Sequence, residues 1–231
     1  MSTGTIHSMS DVTHLWAIFL GTFIGLLPII NPLASAPTFL AITEGDSEDR
    51  RREQARKGCI YMVAILVSFL IGGTFIMNFF GISIPGLRIA GGILLCGIGM
   101  TMLAAQKTQE EVEREAARRK VDISFSPLAM PMLSGPGSIA VTLGFTSLAT
   151  HWIDYFAIIA GIVSVALITY LTLRLSGKIV QLIGPVGVNA MTKIMGFLIM
   201  CIGVQFVVNG VLGIATDPEL LRGIKDVLAG H

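Results

Sequence analysis

The chain has 231 residues, 53% of them hydrophobic and 13% charged, with a net charge of +1. A soluble domain carries about 25% charged residues, so the composition excludes an ordinary soluble fold, and the near-neutral total speaks against a nucleic-acid partner or a polybasic anchor. Mean hydropathy is +0.76, as expected of a chain with the lipid bilayer for a partner.

Residues 1–13 are polar and read as a frayed tail. No Lys or Arg precedes Arg50, so the positive start of a cleavable leader is missing, and the first apolar run is expected to stay as a membrane span. That run, residues 14–43, would reach ~43 Å as one straight helix, more than a ~30 Å hydrocarbon core requires. It also contains Pro28, Pro32, Pro37 and Asn31. The prolines threaten the carbonyls of Ile24, Pro28 and Leu33, and lipid offers those groups no substitute donor. The economical reading is a broken helix: one half ends near Ile30, and the next starts with Asn31 as N-cap and Pro32 at the first helical position.

Residues 44–57 form a charged connector in which Ser47 caps a short surface helix. Span 2 covers 59–80, a tight turn with Pro85 occupies 81–86, and span 3 covers 87–105, rich in glycine. Small residues let membrane helices approach closely. A second charged connector occupies 107–126. Span 4, residues 127–150, repeats the features of span 1: its centre is Met-Pro-Met-Leu-Ser-Gly-Pro-Gly-Ser, 130–138. Span 5 covers 153–173, a Gly/Pro turn runs through 188, span 6 covers 191–212, and 213–231 is a polar tail with a short amphipathic helix. The resulting units are 14–106 and 127–212, each of three spans. Cys59, Cys96 and Cys201 are odd in number and scattered in apolar surroundings, so they read as packing residues.

Charge sets the orientation. Five Lys/Arg lie in the first connector, five in the second, and Arg174, Lys178 and Lys193 near the turn between spans 5 and 6; the other side holds Arg88, Arg222 and Lys225. The positive-inside rule places the connectors in the cytoplasm and both termini outside it.

The two units repeat. Asn31-Pro32 corresponds to Gly135-Pro136 at a spacing of 104 residues (31 to 135), and Arg88-Ile89-Ala90-Gly91 to Lys193-Ile194-Met195-Gly196 at 105 (88 to 193). A three-span unit inserts its second copy inverted. The expected fold is therefore all-α and integral to the membrane: six transmembrane helices as two inverted three-helix repeats, with spans 1 and 4 broken.

Inverted repeats with broken helices point to a transporter with a midplane site. Ser134 or Gly135 caps the second half of span 4 and Pro136 starts it, as Asn31 and Pro32 do in span 1. Two helix N-termini then converge, each with about half a positive charge and free N–H groups, which suits a carboxylate. Carbonyls released by Pro28, Pro32, Pro131 and Pro136 suit an ammonium or small cation. The expected solute site is Pro28, Asn31, Pro32, Ser35, Ser134, Gly135, Pro136, Gly137 and Ser138, with Thr142, Gln205 and Asn209 as cation or polar lining. The fifteen Asp and Glu are read as outside the spans, which argues against a buried-carboxylate proton relay. Scattered Met and the peripheral His7, His14, His151 and His231 read as packing and solvated positions. No catalytic residue, metal or cofactor is expected. A coupling cation, sodium or proton, stays unassigned, and homo-oligomerisation is left open.

Four stretches carry a resemblance: Leu-Leu-Pro-Ile-Ile-Asn-Pro-Leu (26–33), Phe-Gly-Ile-Ser-Ile-Pro-Gly-Leu-Arg-Ile-Ala-Gly-Gly (80–92), Pro-Leu-Ala-Met-Pro-Met-Leu-Ser-Gly-Pro-Gly-Ser-Ile-Ala (127–140) and Met-Gly-Phe-Leu-Ile-Met-Cys-Ile-Gly-Val-Gln-Phe-Val-Val-Asn-Gly (195–210). They resemble the MarC family of bacterial and archaeal inner-membrane proteins over all six spans. The resemblance implies transport of small neutral amino acids and kinship with LysE-type exporters. The alternatives are an exporter of another small solute, a passive channel or a membrane scaffold. An intramembrane serine hydrolase using Ser134 or Ser138 is disfavoured, because no His or Lys lies near either serine within a span to activate it.

Overall fold

The first apolar run folds as two helices, α1 (Thr3–Ile30) and α2 (Pro32–Ile42), separated by Asn31 alone. The computed structural model describes residues 3–104, 128, 133–146, 149 and 151–217, with side chains from Val12 onward. The connector 107–126, the first residue of span 4, Pro131 and the expected amphipathic helix beyond Asp217 lie outside the described residues. The other helices are α3 (Glu48–Phe80), α4 (Ile84–Ala104), α5 (Pro136–Thr146), α6 (Trp152–Arg174) and α7 (Ser176–Ala215). No strand occurs among the described residues.

Several boundaries differ from the sequence reading. Helix α1 begins at Thr3, so the polar tail is helical backbone and not frayed coil. The surface helix expected after Ser47 and span 2 are one helix of 33 residues, about 50 Å at 1.5 Å per residue. Good helix formers and the i,i+4 pairs Arg52–Glu48 (3.5 Å) and Lys57–Glu53 (2.9 Å) carry it through the charged stretch. Ser47 does cap it, its hydroxyl accepting from the Arg50 N–H at 3.3 Å. The helix stops at Gly81, whose φ of 64° only glycine adopts freely. The expected Gly/Pro turn before span 6 is instead helical, interrupted inside α7 at Gly184, where φ is 69°.

Asp154 is a further correction. It lies inside α6, buried at 1% exposure, and its Oδ2 accepts from the His151 N–H at 2.9 Å while its Oδ1 stands 3.6 Å from His14 Nδ1. The carboxylate satisfies an orphan N–H at a helix start, where the positive end of the dipole favours it. The span expected from the sequence, 153–173, already contains it, so counting every Asp and Glu outside the spans was a miscount.

Helix directions follow from specific contacts. His14 meets Asp154, and Thr22 lies against Gly161, so α1 and α6 run parallel. Gly92 meets Gly203 and Gly99 meets Gly196, so α4 and α7 run antiparallel. The start of α3 and the end of α6 share one pocket, lined by Arg51, Arg52 and Arg174, so those helices are antiparallel too. The cations of the first connector and those after span 5 therefore do lie at one end of the bundle.

Five described segments are long and apolar enough to cross a membrane: Val12–Ile30 and helices α3, α4, α6 and α7; Pro32–Ile42 is apolar but short. Large apolar side chains cover the outside, with Trp152 74% exposed and Phe75 72%. In water that surface would aggregate; in a bilayer it is the solvated face. Inside, Leu26, Phe39, Leu66, Leu95, Ile158 and Leu173 are fully enclosed.

Candidate functional site: two helix breaks side by side

Asn31 ends one helix and starts the next. Its φ and ψ are 42° and 69°, making it the one non-glycine residue with positive φ among the described residues. Asparagine tolerates this region better than most side chains. Its N–H donates to the Leu27 carbonyl at 3.0 Å, the left-handed stop of α1. Its Oδ1 accepts from the Ala34 N–H at 3.3 Å, and its carbonyl accepts from the Ser35 N–H at 3.1 Å, the start of α2. Pro32 at the first helical position has no N–H to leave unpaired. This matches the half-helix arrangement expected from the sequence. Pro28 is accommodated inside the last turn of α1 and Pro37 inside α2, so neither makes the break.

The second break is Ser134–Gly135, two residues where the first has one. The Ile139 N–H donates to the Gly135 carbonyl at 3.2 Å, and α5 starts with Pro136. The serines behave alike at the two sites. Ser35 Oγ donates to the Ile30 carbonyl at 3.4 Å, and Ser138 Oγ to the Leu133 carbonyl at 3.3 Å. Each hydroxyl thus satisfies a carbonyl at the end of the preceding half-helix, a backbone role that spacing alone did not reveal.

The breaks adjoin. Gly137 lies against Ile29, two residues before Asn31, and Gly25 against Val141 and Phe145. Asn31, Ser35, Ser134, Ser138 and Thr142 are all buried, as are Pro28, Pro32 and Gly137; Gly135 is half-buried and Pro136 exposed. Thr142 Oγ donates to the Ser138 carbonyl at 2.8 Å. Among the described residues, Asn31 Nδ2 is enclosed without an acceptor, a state that costs about 1–3 kcal/mol.

Gln205 and Asn209 are elsewhere. Both are exposed on α7, and Gln205 Nε2 donates to Asn209 Oδ1 at 2.9 Å. Asn209 lines a separate pocket of about 190 Å³ with Arg88, Gly144, Phe145 and Phe206. Sequence reasoning placed the pair at the centre because one polar face on an apolar helix looks the same wherever the bundle puts it. Arg88 was the missed partner, and its signal was its isolation as a cation at the opposite end from the basic connectors. Thr146 was missed as well. Its Oγ is 3.4 Å from the Leu70 carbonyl and ties α5 to α3.

Gly137 faces side chains. A methyl group there would sit 2.9 Å from Ile98 Cδ1, 3.2 Å from Leu95 Cδ2 and 3.3 Å from Ile29 Cγ2. These are flexible ends that can yield. Gly137→Ala is expected to lower stability by about 1 kcal/mol, the low end of overpacking. Thermal unfolding checks this; an unchanged midpoint would mean that Ile98, Leu95 and Ile29 do not crowd a methyl group there.

The model of the MarC family of integral membrane proteins matches residues 16–215, which include both breaks. An inner membrane protein MarC from Citrobacter koseri is 39% identical over 211 residues, covering 86% of this chain and 95% of that protein. The Salmonella typhimurium protein of the same name has the same identity and coverage, and one from Escherichia coli is 38% identical over 214 residues, with 86% and 95% covered. No solved structure matches. With the family model spanning most of the chain and relatives this similar along nearly their whole length, the chain belongs to the MarC family of integral membrane proteins.

Proposed function

We propose that the protein is a secondary transporter of small neutral amino acids, of the size of glycine or alanine, which holds its solute between the two helix breaks. The observation that carries this reading is the Asn31 amide, buried, unpaired and set at a helix N-terminus beside a second break. Two amide hydrogens and a positive helix end ask for an anionic acceptor, and a carboxylate is the acceptor a zwitterion brings. Ser134 and Ser138 are capping and packing groups in this reading, not nucleophiles.

The mechanism needs six crossings in two inverted units, and two observations support them. Helices α1 and α6 run parallel although α3 and α4, each able to cross, lie between them. One more crossing through residues 105–151 restores the direction of α6. The second support is an exchange symmetry at the α4–α7 contact. A shift of 104 takes Gly92 to Gly196, Cys96 to Met200 and Gly99 to Gly203. The contacts Gly92–Gly203 and Gly99–Gly196 are exchanged by that shift, as are Cys96–Gly203 and Met200–Gly99. The Cys96 Sγ bond to the Met200 carbonyl, 3.8 Å, joins a residue to its own equivalent. The same shift relates Asn31-Pro32 to Gly135-Pro136, so the sequence match at 105 is one residue out of register.

The relatives are named as inner-membrane proteins, and we extend that location to this chain, with the start of α3 in the cytoplasm. In a variant whose three cysteines are replaced by alanine, Ser47→Cys is expected to resist an impermeant maleimide in intact cells and to react after permeabilisation. Labelling in intact cells would reverse the orientation.

Counterflow in proteoliposomes tests the function. Vesicles preloaded with unlabelled alanine should accumulate labelled alanine transiently and saturably. Uptake that neither saturates nor exchanges marks a channel, and no movement of glycine, alanine or serine ends the proposal.

A further inference from the structure

We infer that the protein carries a phosphate-binding pocket at the end of the bundle where α3 begins and α6 passes into α7, remote in sequence from both helix breaks. The pocket has a volume of about 360 Å³ and is lined by Glu48, Arg51, Arg52, Arg174, Ser176 and Lys178, with Leu171 and Leu175 on its apolar side. Among the described residues that line it, four cations from two segments of the chain meet one carboxylate, and Arg52 also reaches Asp49 at 4.0 Å. That carboxylate, Glu48, is 3.5 Å from Arg52 and its side chain is 79% exposed, so it neutralises at most one of them. Arg174 and Lys178 form no ion pair among the described residues. Arg51 is half-buried: its Nη2 donates to the Thr43 carbonyl at 3.4 Å, and its Nε is enclosed with no acceptor.

The positive-inside rule accounts for cations at this end, but it asks only that they reach water. It explains neither their convergence on one cavity nor a guanidinium N–H shut away from solvent. Like charges brought together repel, and a buried donor left unpaired is destabilising. One oxyanion relieves both. A tetrahedral phosphate offers several acceptors at once, and arginine's planar fork matches that geometry. Ser176, 1% exposed at the wall, and Gly177, with open space where a side chain would stand, leave room for the group. The phosphate comes from one of two sources: the headgroup of an anionic phospholipid, its chains leaving along Leu171 and Leu175, or a free phosphate ion. Basic pockets between membrane helices hold anionic headgroups in this way.

The test uses the whole chain and the Arg174→Gln/Lys178→Gln double variant, whose altered side chains are exposed and form no ion pair among the described residues. Native mass spectrometry from mixed micelles measures retention of phosphatidylglycerol against phosphatidylcholine, and thermal unfolding measures the response to inorganic phosphate against chloride at matched ionic strength. Wild type is expected to retain phosphatidylglycerol preferentially, and loss of two cations to weaken that retention about 25-fold. Stabilisation by phosphate without lipid preference assigns the pocket to the free ion; lipid preference that phosphate does not displace assigns it to the headgroup. Should the double variant misfold, Lys178→Gln alone and competition of retained lipid by phosphate in wild type give the same reading. Wild type indifferent to both probes, or a folded double variant with undiminished preference, overturns the proposal.

Discussion

Asn31→Gly is expected to abolish counterflow while leaving the protein folded. Asn31 does two jobs that this variant separates. Its backbone holds a φ of 42° that stops α1 and starts α2, and glycine adopts that conformation without strain. Its side chain caps α2 through Oδ1 and presents the unpaired Nδ2. Exchange of a capping asparagine for glycine costs only a few tenths of a kcal/mol, roughly. The glycine variant therefore keeps the break and loses the amide. Asn31→Leu loses the cap, worth about 1 kcal/mol, and adds about 1–2 kcal/mol for a left-handed side chain; it should unfold earlier. Purified variants would be compared by thermal unfolding and then reconstituted. Wild-type exchange by Asn31→Gly would show that the amide touches no solute and would remove the observation on which the transporter reading rests.

Gly99→Ala, like Gly92→Ala, is expected to lose more stability than alanine at the other glycines of α4, because at both positions a Cβ would meet backbone of α7. A Cβ at Gly99 would stand 2.6 Å from the Gly196 carbonyl oxygen and 2.9 Å from the Met200 nitrogen. Both atoms are backbone, so no rotamer change relieves the overlap and the helices must part. Overpacking costs about 1–3 kcal/mol, and this case belongs at the upper end. Gly203→Ala should behave alike, since its Cβ would meet the Gly92 carbonyl oxygen at 2.7 Å. Gly97→Ala is the control: nothing lies within 4 Å, and the residue is exposed. There alanine should stabilise by up to about 1 kcal/mol through helix propensity. Unfolding in detergent separates the two outcomes. Equal stability of Gly99→Ala and Gly97→Ala would contradict the close backbone contact between α4 and α7.

Much of the local structure was legible in the chain. Apolar runs of crossing length identify α3, α4, α6 and most of α1 and α7, because burying backbone in lipid leaves only helix as an answer. The break at Asn31 and the start of α5 at Pro136 were legible for the same reason: a missing N–H at a fixed position must end one hydrogen-bond ladder and can begin another. Ser47 as cap and the shared end of the basic segments followed from equally local chemistry.

What the tertiary structure alone decided is which surfaces meet. Gln205 and Asn209 were placed by type at the centre, yet the rotation of α7 turns them outward; on a helix apolar nearly all round, sequence periodicity carries no signal for which side faces protein. The serines of the breaks were counted as solute ligands, and packing gives their hydroxyls to the carbonyls of Ile30 and Leu133. Gly137 was named among the solute-site residues, and Ile98, Leu95 and Ile29 lie against the space where its side chain would stand. Asp154 was counted outside the spans although it falls within 153–173, and it is a buried cap. In each case the residue type was legible in the chain and its neighbour in the bundle was not. Helix starts and stops depend on atoms within four or five residues along the chain, whereas contacts between membrane helices depend on shape matched across the bundle, where lipid and protein interior are almost equally apolar.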